Sequence, residues 1–298
     1  MMEKTFLKLQ KLKKYIQNCK SLVLFINIAF IISYCNFYGQ VKITYEVSYK
    51  PDSTNEKRNI EEMTLKCYEG ESYFYNETKF KLDSIYDRVT SEFIQTGIAP
   101  KVSLKYELNF GIFKNFSKRE FLDIHNISSR NFAYKDSFPK LQWQVSNSKK
   151  EILNYFCKSA TVNFGGRVWE AWFTDEIPIN DGPYKFFGLP GLILEIYDLE
   201  DNYHFVATSI LKQNEKIEMP SSTIKTSKEQ FLKIKENLIK DPALYVRESV
   251  MKNNSLKMKD ITGATIEPME LYQRITKEFN FFKDSHNNPI EKATIWIK

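Results

Sequence analysis

The chain has 298 residues, of which 42% are hydrophobic, enough for one large domain or two small ones with a sizeable core. Its formal net charge is +6, but residues 1–39 hold six lysines and one glutamate, so residues 40–298 carry 37 basic and 36 acidic side chains. A balance so close to neutral argues against a nucleic-acid partner, which would require a basic surface. Aromatic residues make up 15% of the chain, a content that favours β-strands.

The first 39 residues have the composition of a secretory signal peptide. Residues 1–20 are rich in lysine, residues 21–34 are an apolar run of 14 residues without a charge, and a short segment ending in glycine follows. We predict cleavage between Gly39 and Gln40. Two alternatives stay open: lipidation at Cys35, and an uncleaved anchor, which would be the only membrane contact. A spanning helix needs about 20 apolar residues, which makes the anchor the weaker reading.

Alternation of polar and apolar residues predicts strands along the next part of the chain. The predicted strands are residues 41–50, two strands in residues 61–76 that are broken at Glu69-Gly70, residues 101–116, and residues 140–146, where Leu141, Trp143 and Val145 share one face. Residues 80–97 have a looser spacing that favours a helix.

Residues 155–174 predict a tight β-hairpin. Two alternating runs flank Gly165-Gly166, which supply the positive φ angles of a two-residue turn. The implied register pairs Phe164 with Arg167, Val162 with Trp169, Ala160 with Ala171 and Lys158 with Phe173, and its core face carries Val162, Phe164, Trp169, Ala171 and Phe173. A slip of one residue would exchange the two faces, so we expect the register to be firmly set.

A short glycine-rich segment follows the hairpin, and it consists of Gly188, Leu189, Pro190, Gly191, Leu192 and Ile193. A phosphate-binding loop would need Gly-Lys-Ser/Thr before a helix, and a dinucleotide fingerprint would need three spaced glycines; the segment has neither. Pro190 and Gly191 instead fit the two central positions of a type II turn. The strand predicted next, residues 192–198, is apolar on both faces and is expected to pair antiparallel with residues 202–211.

Helical periodicity begins at Ser227. This serine is the predicted N-cap of a helix whose apolar stripe is formed by Phe231, Ile234, Leu238 and Ile239. A second helix is predicted in residues 268–283, with Pro268 in its first turn. Residues 287–298 are expected to be extended or irregular.

Residues 154–198 resemble the hallmark segment of the GLPGLI family, exported proteins of Bacteroidota that are also described by the Porph_ging domain. The matching positions are Cys157-Lys158, Gly166-Arg167, Ala171 to Thr174, Glu176 to Ile179, Gly182-Pro183 and the hexapeptide that begins at Gly188. Trp143 and the segment Asn288 to Glu291 also resemble family positions. The resemblance implies export from a Gram-negative cytoplasm and a link to TonB-dependent uptake at the outer membrane. It implies no catalytic residue, because the family has no settled biochemical activity.

Cys67 and Cys157 are the two cysteines outside the N-terminal segment, an even number for an oxidising compartment. A disulfide between them is one reading, and two separate half-buried thiols are the other. The hairpin register places Cys157 on its more polar face, whereas Cys67 has apolar neighbours, which argues somewhat against the bond.

The other candidates for chemistry are scattered. His125, His204 and His286 lack the spacing of a metal motif, so we predict no metal, no cofactor and no catalytic residue. A further group of side chains is acidic and close in sequence, but acids that flank a turn are usually solvated: Asp175, Glu176, Asp181 and Glu195. The predicted ligand-binding residues are Trp172, Phe186 and Phe187, which would line a groove for an apolar ligand or a partner segment. Packing beneath the long loop is the alternative.

These patterns predict a mainly β (α+β) fold: a single domain with a curved antiparallel sheet, which resembles the open half-barrel of periplasmic lipoprotein-carrier proteins, plus C-terminal helices. We predict a signal peptide at 1–39 and one domain at 40–298, with its helical part at about 227–283. The expected function is a non-catalytic binding or accessory module of the periplasm or outer membrane, with a lipid, a peptide or an envelope protein as its partner. A hydrolase or metal-dependent enzyme whose site assembles from distant residues, and a purely structural envelope protein, are the two alternatives.

Overall fold

The computed structural model describes residues 40–82, 106–127, 130–220, 222–244, 246–248, 258–259 and 265–294. Twelve strands in these ranges form one sheet: β1 (Gln40–Tyr49), β2 (Asn59–Tyr68), β3 (Glu71–Asn76), β4 (Phe110–Asn115), β5 (Glu120–Ile127), β6 (Arg130–Asp136), β7 (Gln144–Ile152), β8 (Tyr155–Phe164), β9 (Arg167–Thr174), β10 (Leu192–Asp198), β11 (Tyr203–Lys212) and β12 (Ile224–Thr226). Two helices follow, α1 (Lys228–Lys240) and α2 (Pro268–Ser285), and the two-stranded ribbon of β13 (Met258–Lys259) and β14 (Thr265–Ile266) lies between them in sequence. The predicted signal peptide and most of the helix predicted in residues 80–97 lie outside the described residues.

The sheet extends in both directions from β1. Its order is β12-β6-β5-β4-β3-β2-β1-β11-β10-β9-β8-β7, so that two meanders meet at the first strand of the chain. The neighbouring pairs are antiparallel except for β12 and β6, which are parallel. Among the described strands, β12 and β7 form the two open edges. The prediction of a mainly β fold with an antiparallel sheet and C-terminal helices is confirmed.

The sheet is strongly curved. Phe74 on β3 and Phe205 on β11 have ring centroids 6.3 Å apart, although β2 and β1 lie between their strands. In a flat sheet, strands three positions apart would be separated by about 14 Å. The curvature therefore brings the inner faces of the two halves together, and the largest cluster of buried apolar side chains spans both of them.

The hairpin of β8 and β9 has the predicted register. Phe164 pairs with Arg167, Val162 with Trp169, Ala160 with Ala171 and Lys158 with Phe173. Gly165 and Gly166 have φ angles of 62° and 80°, as a two-residue turn with positive φ requires. The predicted core face is confirmed by the burial of Val162, Trp169, Ala171 and Phe173.

Residues 175–191, which we call the plug loop, lie across the concave face of the sheet. The loop contributes Ile177, Tyr184, Phe186 and Leu189 to the main core cluster. It is fixed to β4 on the far side by a buried ion pair between Lys114 and Asp181, and the Lys114 ammonium also donates to the Gly182 carbonyl at 3.0 Å. The sheet therefore encloses part of its own connection between β9 and β10 instead of an open channel.

The turn at the end of the plug loop differs from the predicted type II turn. The Gly191 N–H donates to the Leu189 carbonyl at 2.8 Å, which closes a three-residue turn around Pro190, and the Leu192 N–H donates to Ile177 instead. Gly191 has the positive φ that was expected, but at 145° it is far from the value near 80° of a type II turn. The reason is tertiary: the Gly191 backbone is pressed against the end of β9, where an added Cβ would lie 2.0 Å from the Thr174 oxygen.

The two predicted helices are confirmed. Ser227 caps α1 by accepting from the Gln230 N–H at 3.1 Å, while the Gln230 side chain accepts from the Ser227 N–H at 3.2 Å. Phe231 anchors the apolar stripe of α1, which packs on the end of the sheet beside β5 and β6. Helix α2 begins at Pro268, and none of its residues is buried.

The strand predicted in residues 140–146 lies further along the chain than predicted. The strand β7 begins only at Gln144, and Leu141 and Trp143 precede it as partly buried residues packed against the core. Val145, expected on the same buried face, is 57% exposed. As an edge strand, β7 pairs only with β8 among the described strands, and its pairing is irregular after Val145, so the alternation of its residues does not correspond to an inner and an outer face.

Candidate functional site

A cavity of about 330 Å³ lies between the concave side of the sheet and α1. Its walls come from five parts of the fold: the inner side of β5 and β6 together with the residues that lead into β4, the plug loop at Tyr184 and Lys185, Tyr203 of β11, one face of α1, and residues in the segment 289–294. The apolar lining includes Leu108, Ile127, Ile239 and Ile290. The lining also contains a cluster of charged and polar groups around Asp123.

Asp123 is the centre of the polar side. It lies on β5 opposite Tyr134 of β6 and is only 2% exposed. Its Oδ2 accepts from the Tyr134 hydroxyl at 3.1 Å and lies 2.6 Å from the Lys185 Nζ, and its Oδ1 lies 2.8 Å from the His125 Nε2. Burial would raise the pKa of Asp123, but the nearby His125 and Lys185 outweigh burial and hold this pKa well below its usual range.

Lys185 connects this carboxylate to the C-terminal segment. Its Nζ lies 2.8 Å from Glu291 Oε1, which also accepts from the Tyr184 hydroxyl at 2.6 Å. Burial disfavours the ammonium, yet the carboxylates of Asp123 and Glu291 raise the pKa of Lys185 above its ordinary value. Burial first, and then Glu291 and Asp123, raise the pKa of Tyr184, and burial followed by Asp123 raises the pKa of Tyr134. Asp123 therefore stays anionic, Lys185 cationic and both tyrosines neutral around neutral pH.

The C-terminal segment is fixed at the cavity by Arg167, the first residue of β9. The guanidinium is nearly solvent-free: Nε donates to the Ile290 carbonyl at 3.0 Å, and Nη2 donates to the Asn288 side-chain oxygen at 2.5 Å and to the Pro289 carbonyl at 2.9 Å. Its Nη1 pairs with the buried carboxylate of Asp198 at 3.1 Å. Two parts of the chain more than 120 residues apart thus meet through one side chain.

One wall of the cavity is aromatic, with lysines beside it. The His125 ring stacks on Phe231 with centroids 4.9 Å apart and on Tyr134 with centroids 5.9 Å apart. The ammonium of Lys228 lies 5.9 Å from the Tyr134 ring centroid, and that of Lys235 lies 5.7 Å from the Phe231 ring centroid. The site can therefore offer an aromatic surface and a cation to the same bound molecule.

The structure separates the three aromatic residues predicted to bind a ligand. Phe186 is fully buried in the core, with its ring centroid 4.8 Å from that of Trp169. Trp172 is on the opposite face of β9 from Trp169, beneath the Lys150 ammonium at 4.3 Å. Phe187 packs at the outer end of the plug loop against Phe116 and Phe138. The walls of this cavity that the described residues form include none of the three, so a ligand groove at these aromatic residues stays a prediction.

The disulfide that the sequence left open is not formed. Cys67 and Cys157 are free, buried thiols. They lie on β2 and β8, which are separated in the sheet by β1, β11, β10 and β9. Burial raises the pKa of both thiols, that of Cys157 to about 11. The alternative of two separate thiols describes the structure.

The histidines occupy three different places. His125 is in the cavity, His286 contacts Glu107 at the end of α2, and the His204 Nε2 lies 2.8 Å from Glu195 Oε1 on the outer face of the sheet. Glu195 is also paired with Lys150. Within the ranges that the structure describes, no three His, Cys, Asp or Glu side chains are arranged to hold a metal ion. No helix in the same ranges is long and apolar enough to cross a membrane.

Sequence reasoning missed Asp123, Tyr134 and Lys235 as residues of the candidate site. One signal was available: in the strand EFLDIHNI, Asp123 and His125 are two residues apart and alternate with apolar residues on the other face. Asp123 and His125 share this face of the strand with the buried Phe121 and Ile127, and two polar residues are unexpected on a face that points into the core. The positions named from the family resemblance, Arg167 and the segment 288–291, do come together.

Comparisons with known proteins give one family match and distant structural similarities. No curated protein matches the chain significantly. The C2 and P21 crystal forms of PNGF-II are similar with TM-scores of 0.46 and 0.45 at 15% identity, over 65% of this chain and 32% of that chain, so the chain spans about a third of PNGF-II. A domain described as an outer membrane lipoprotein-sorting protein from Vibrio parahaemolyticus has a TM-score of 0.28 at 7% identity, over 61% of this chain and 88% of that chain. Residues 166–195, from the hairpin turn to β10, match the family model described as "Protein of unknown function (Porph_ging)", which confirms the family resemblance found in the sequence.

Proposed function

We propose that this chain is an exported protein of the cell envelope that binds a small amphiphilic molecule without transforming it. The observation that carries the proposal is the cavity of about 330 Å³, whose lining combines apolar side chains with a fixed cluster of charges around Asp123. Its volume lies at the lower end of the range of about 300–1,000 Å³ found for small-molecule sites.

The charges around Asp123 support binding better than catalysis. A general acid or base needs a pKa near the working pH. The shifts at Asp123, Lys185 and Tyr134 all move in the opposite direction, away from neutrality, because each group is stabilised in the form it already has. Such groups orient a ligand through constant charges and hydrogen bonds.

The proposed location rests on the N-terminal segment, with its lysine-rich start, its apolar run and its small residue before Gln40. Export places the domain in the periplasm or at the outer membrane. The family resemblance supports a partner there among TonB-dependent uptake proteins, to which the domain would present its ligand.

Native mass spectrometry of protein purified from the periplasm tests the proposal. We expect a mature chain that begins at Gln40 and retains a small molecule of defined mass. Leu232→Trp, which enlarges a side chain of the cavity wall, should abolish retention; Leu211→Trp, at a similarly exposed leucine of β11, should not. Binding in this cavity would be contradicted if the wild-type protein were empty. It would also be contradicted if both variants retained the molecule as wild type does. Protein found only in the cytoplasm would contradict export.

A further inference from the structure

The plug loop is held to β4 by two charged side chains that are shielded from solvent. Lys114 and Asp181 are 0% and 1% exposed, and the Lys114 Nζ contacts Asp181 Oδ1. Lys114 lies on the same face of β4 as the buried Ile112, so it points into the core, where lysine is rarely found. Taking both charges out of water carries a desolvation penalty that their mutual attraction often does not repay.

The two carboxylate oxygens of Asp181 have different surroundings. Oδ1 accepts from the Gly182 N–H at 2.8 Å in addition to its contact with Lys114. Oδ2 is closed off from solvent, and it has no hydrogen-bond partner among the described residues. The Lys114 Nζ is held in place by the carbonyls of Gly182 and Tyr184, to which it donates at 3.0 Å and 3.2 Å. The carboxylate therefore keeps one buried oxygen unpaired, which is unfavourable for a charged group.

Two buried groups close to this pair are neutral. Burial first raises the pKa of the Tyr45 hydroxyl and of the Cys67 thiol, and the charge of Asp181 adds to the increase in both cases. Both groups therefore keep their protons at neutral pH, and the Tyr45 hydroxyl donates to the Ile193 carbonyl at 2.6 Å. The proton that could neutralise the carboxylate is consequently one of those on the Lys114 ammonium. Its transfer removes both buried charges and leaves an amine in contact with a carboxylic acid.

We propose that Lys114 and Asp181 condense into an intramolecular isopeptide bond, which joins the plug loop covalently to β4. After the proton transfer, the lone pair of Nζ attacks Cγ of Asp181, and the Gly182 N–H stabilises the negative charge that develops on Oδ1. The bond from Cγ to Oδ2 then breaks, and Oδ2 leaves as water with two of the three protons that were on Nζ. One ammonium and one carboxylate thus become one amide and one water molecule, and no oxidant or other reactant is consumed.

The fold supplies what this condensation requires. It holds the amine and the carboxyl group in contact, which makes the reaction effectively unimolecular, and it excludes the water that would reverse it. The product removes both buried charges and the unpaired Oδ2, while the amide oxygen keeps the Gly182 N–H as its donor. The bond would persist when the protein unfolds, and it does not depend on whether the cavity binds a ligand.

The mass of the intact chain, measured after unfolding, tests the proposal. Wild type should be lighter than the mass calculated from its sequence by one water molecule. Lys114→Arg keeps the positive charge, but its guanidinium stays protonated and cannot attack the carboxyl group, so this variant should have its full calculated mass. Wild type at its full calculated mass would overturn the proposal. So would a loss of water that persists in Lys114→Arg, because it would come from a cyclic imide of Asp181 with the Gly182 nitrogen.

A tryptic digest of wild type locates the bond. Trypsin cannot cleave after Lys114 when its amine is acylated, so residues 106–118 should appear joined to residues 168–185 in one branched peptide. The matched control is the ion pair of Lys158 with Asp175, which is 2.6 Å long and belongs to the same loop, but is 46% and 55% exposed. Cleavage after Lys158 should be normal. A free peptide that ends at Lys114, or a cross-link at Lys158, would contradict a bond produced by burial.

Discussion

At the scale of single residues, Arg167 joins three parts of the chain. Its buried guanidinium pairs with the buried Asp198 of β10 and donates to the backbone and side chain of residues 288–290. Arg167→Met would leave Asp198 as an uncompensated buried charge and free two backbone carbonyls. We expect the free energy of unfolding in urea to fall by about 3–5 kcal/mol.

Two further variants make the Arg167 prediction specific. Arg167→Lys keeps the charge but cannot reproduce the planar set of donors, so it should recover only a small part of the loss. Arg274→Met removes an exposed pair with Glu278 on α2 and should cost less than about 1 kcal/mol. Equal effects of Arg167→Met and Arg274→Met would show that the buried network does not stabilise the fold.

The contacts of the Glu107 carboxylate should make the stability of the fold depend on pH. It contacts the His286 Nε2 at 3.2 Å and accepts from the side-chain nitrogen of Asn59 at 2.5 Å and from the Tyr49 hydroxyl at 3.2 Å. The hydrogen bond with His286, ahead of the opposing effect of burial, lowers the pKa of Glu107 from 4.5 to about 2. Because the folded-state pKa is depressed, the contribution to stability is complete above pH 4.5 and is lost as the pH falls towards 2.

The measurement is urea unfolding at a series of pH values. Glu107 is 31% exposed, so solvent screens part of the interaction, and we expect about 1–2 kcal/mol to be lost across this acid window. Glu107→Gln should remove that part of the pH dependence. Glu218→Gln, at an exposed carboxylate, should leave the acid slope as in wild type, and an unchanged slope in Glu107→Gln would contradict the assignment.

At the scale of elements, the plug loop depends on close backbone contact at one of its glycines. A Cβ on Gly191 would lie 2.0 Å from the Thr174 carbonyl oxygen and 2.6 Å from its carbon, atoms that cannot move without shifting β9. Gly188 has a φ of 90°, but nothing lies within 4 Å of its added Cβ. Gly188→Ala should therefore cost about 1–2 kcal/mol through backbone strain alone.

Gly191→Ala should cost more than about 3 kcal/mol, because strain is joined by a clash of backbone with backbone. Melting temperatures of the two alanine variants compare them directly. If Gly188→Ala lowers the melting temperature as much as Gly191→Ala does, or more, the contact with Thr174 is not what holds the loop. The comparison also tests the observed turn, since in a type II turn Gly191 would need only its positive φ.

Elements whose geometry is local were predictable from the sequence. The register of β8 and β9 follows from Gly165-Gly166, and the start of α1 follows from Ser227, because a two-residue turn and an N-cap are decided by adjacent residues. The type of turn at Pro190 was not predictable, since it depends on the approach of the Gly191 backbone to Thr174. The exposure of Val145 depends on β7 being an edge strand, which alternation alone does not show.

The candidate site was less predictable than the fold, because it too depends on contacts between distant parts of the chain. Lys185 meets Asp123 and Glu291 only when the sheet curves and the plug loop and the C-terminal segment lie across it. Residue types and local spacing carry no information on a contact between side chains more than a hundred residues apart. Trp172 and Phe186 were predicted to bind a ligand because they are aromatic and close in sequence, but the sheet places them on opposite sides of β9.

At the scale of the whole molecule, stability should be graded from the centre of the sheet outward. The central strand β1 pairs with β2 and β11, and Ile43, Tyr45 and Val47 on it are fully buried. The main core cluster joins β1 to β9, β10 and the plug loop, whereas β6 and α1 belong to a smaller separate cluster. Local opening should therefore begin at the helical end and reach β1 only on global unfolding.

Helix α2 gives the sharpest test of this gradient. It has 18 residues and none is fully buried. Phe279 packs, partly buried, against the cluster around Phe231, so tertiary packing stabilises α2 much less than it stabilises the central strands. Hydrogen–deuterium exchange by mass spectrometry should show its amides exchanging at least roughly 100-fold faster than those of β1, with α1 between them because Phe231 is buried. Protection should improve only near the C-terminal end of α2, where His286 contacts Glu107 and the Asn287 side chain donates to Asp52 at 2.7 Å. If α2 were as protected as β1, its exposed face would have to be covered in solution, and the gradient would be wrong.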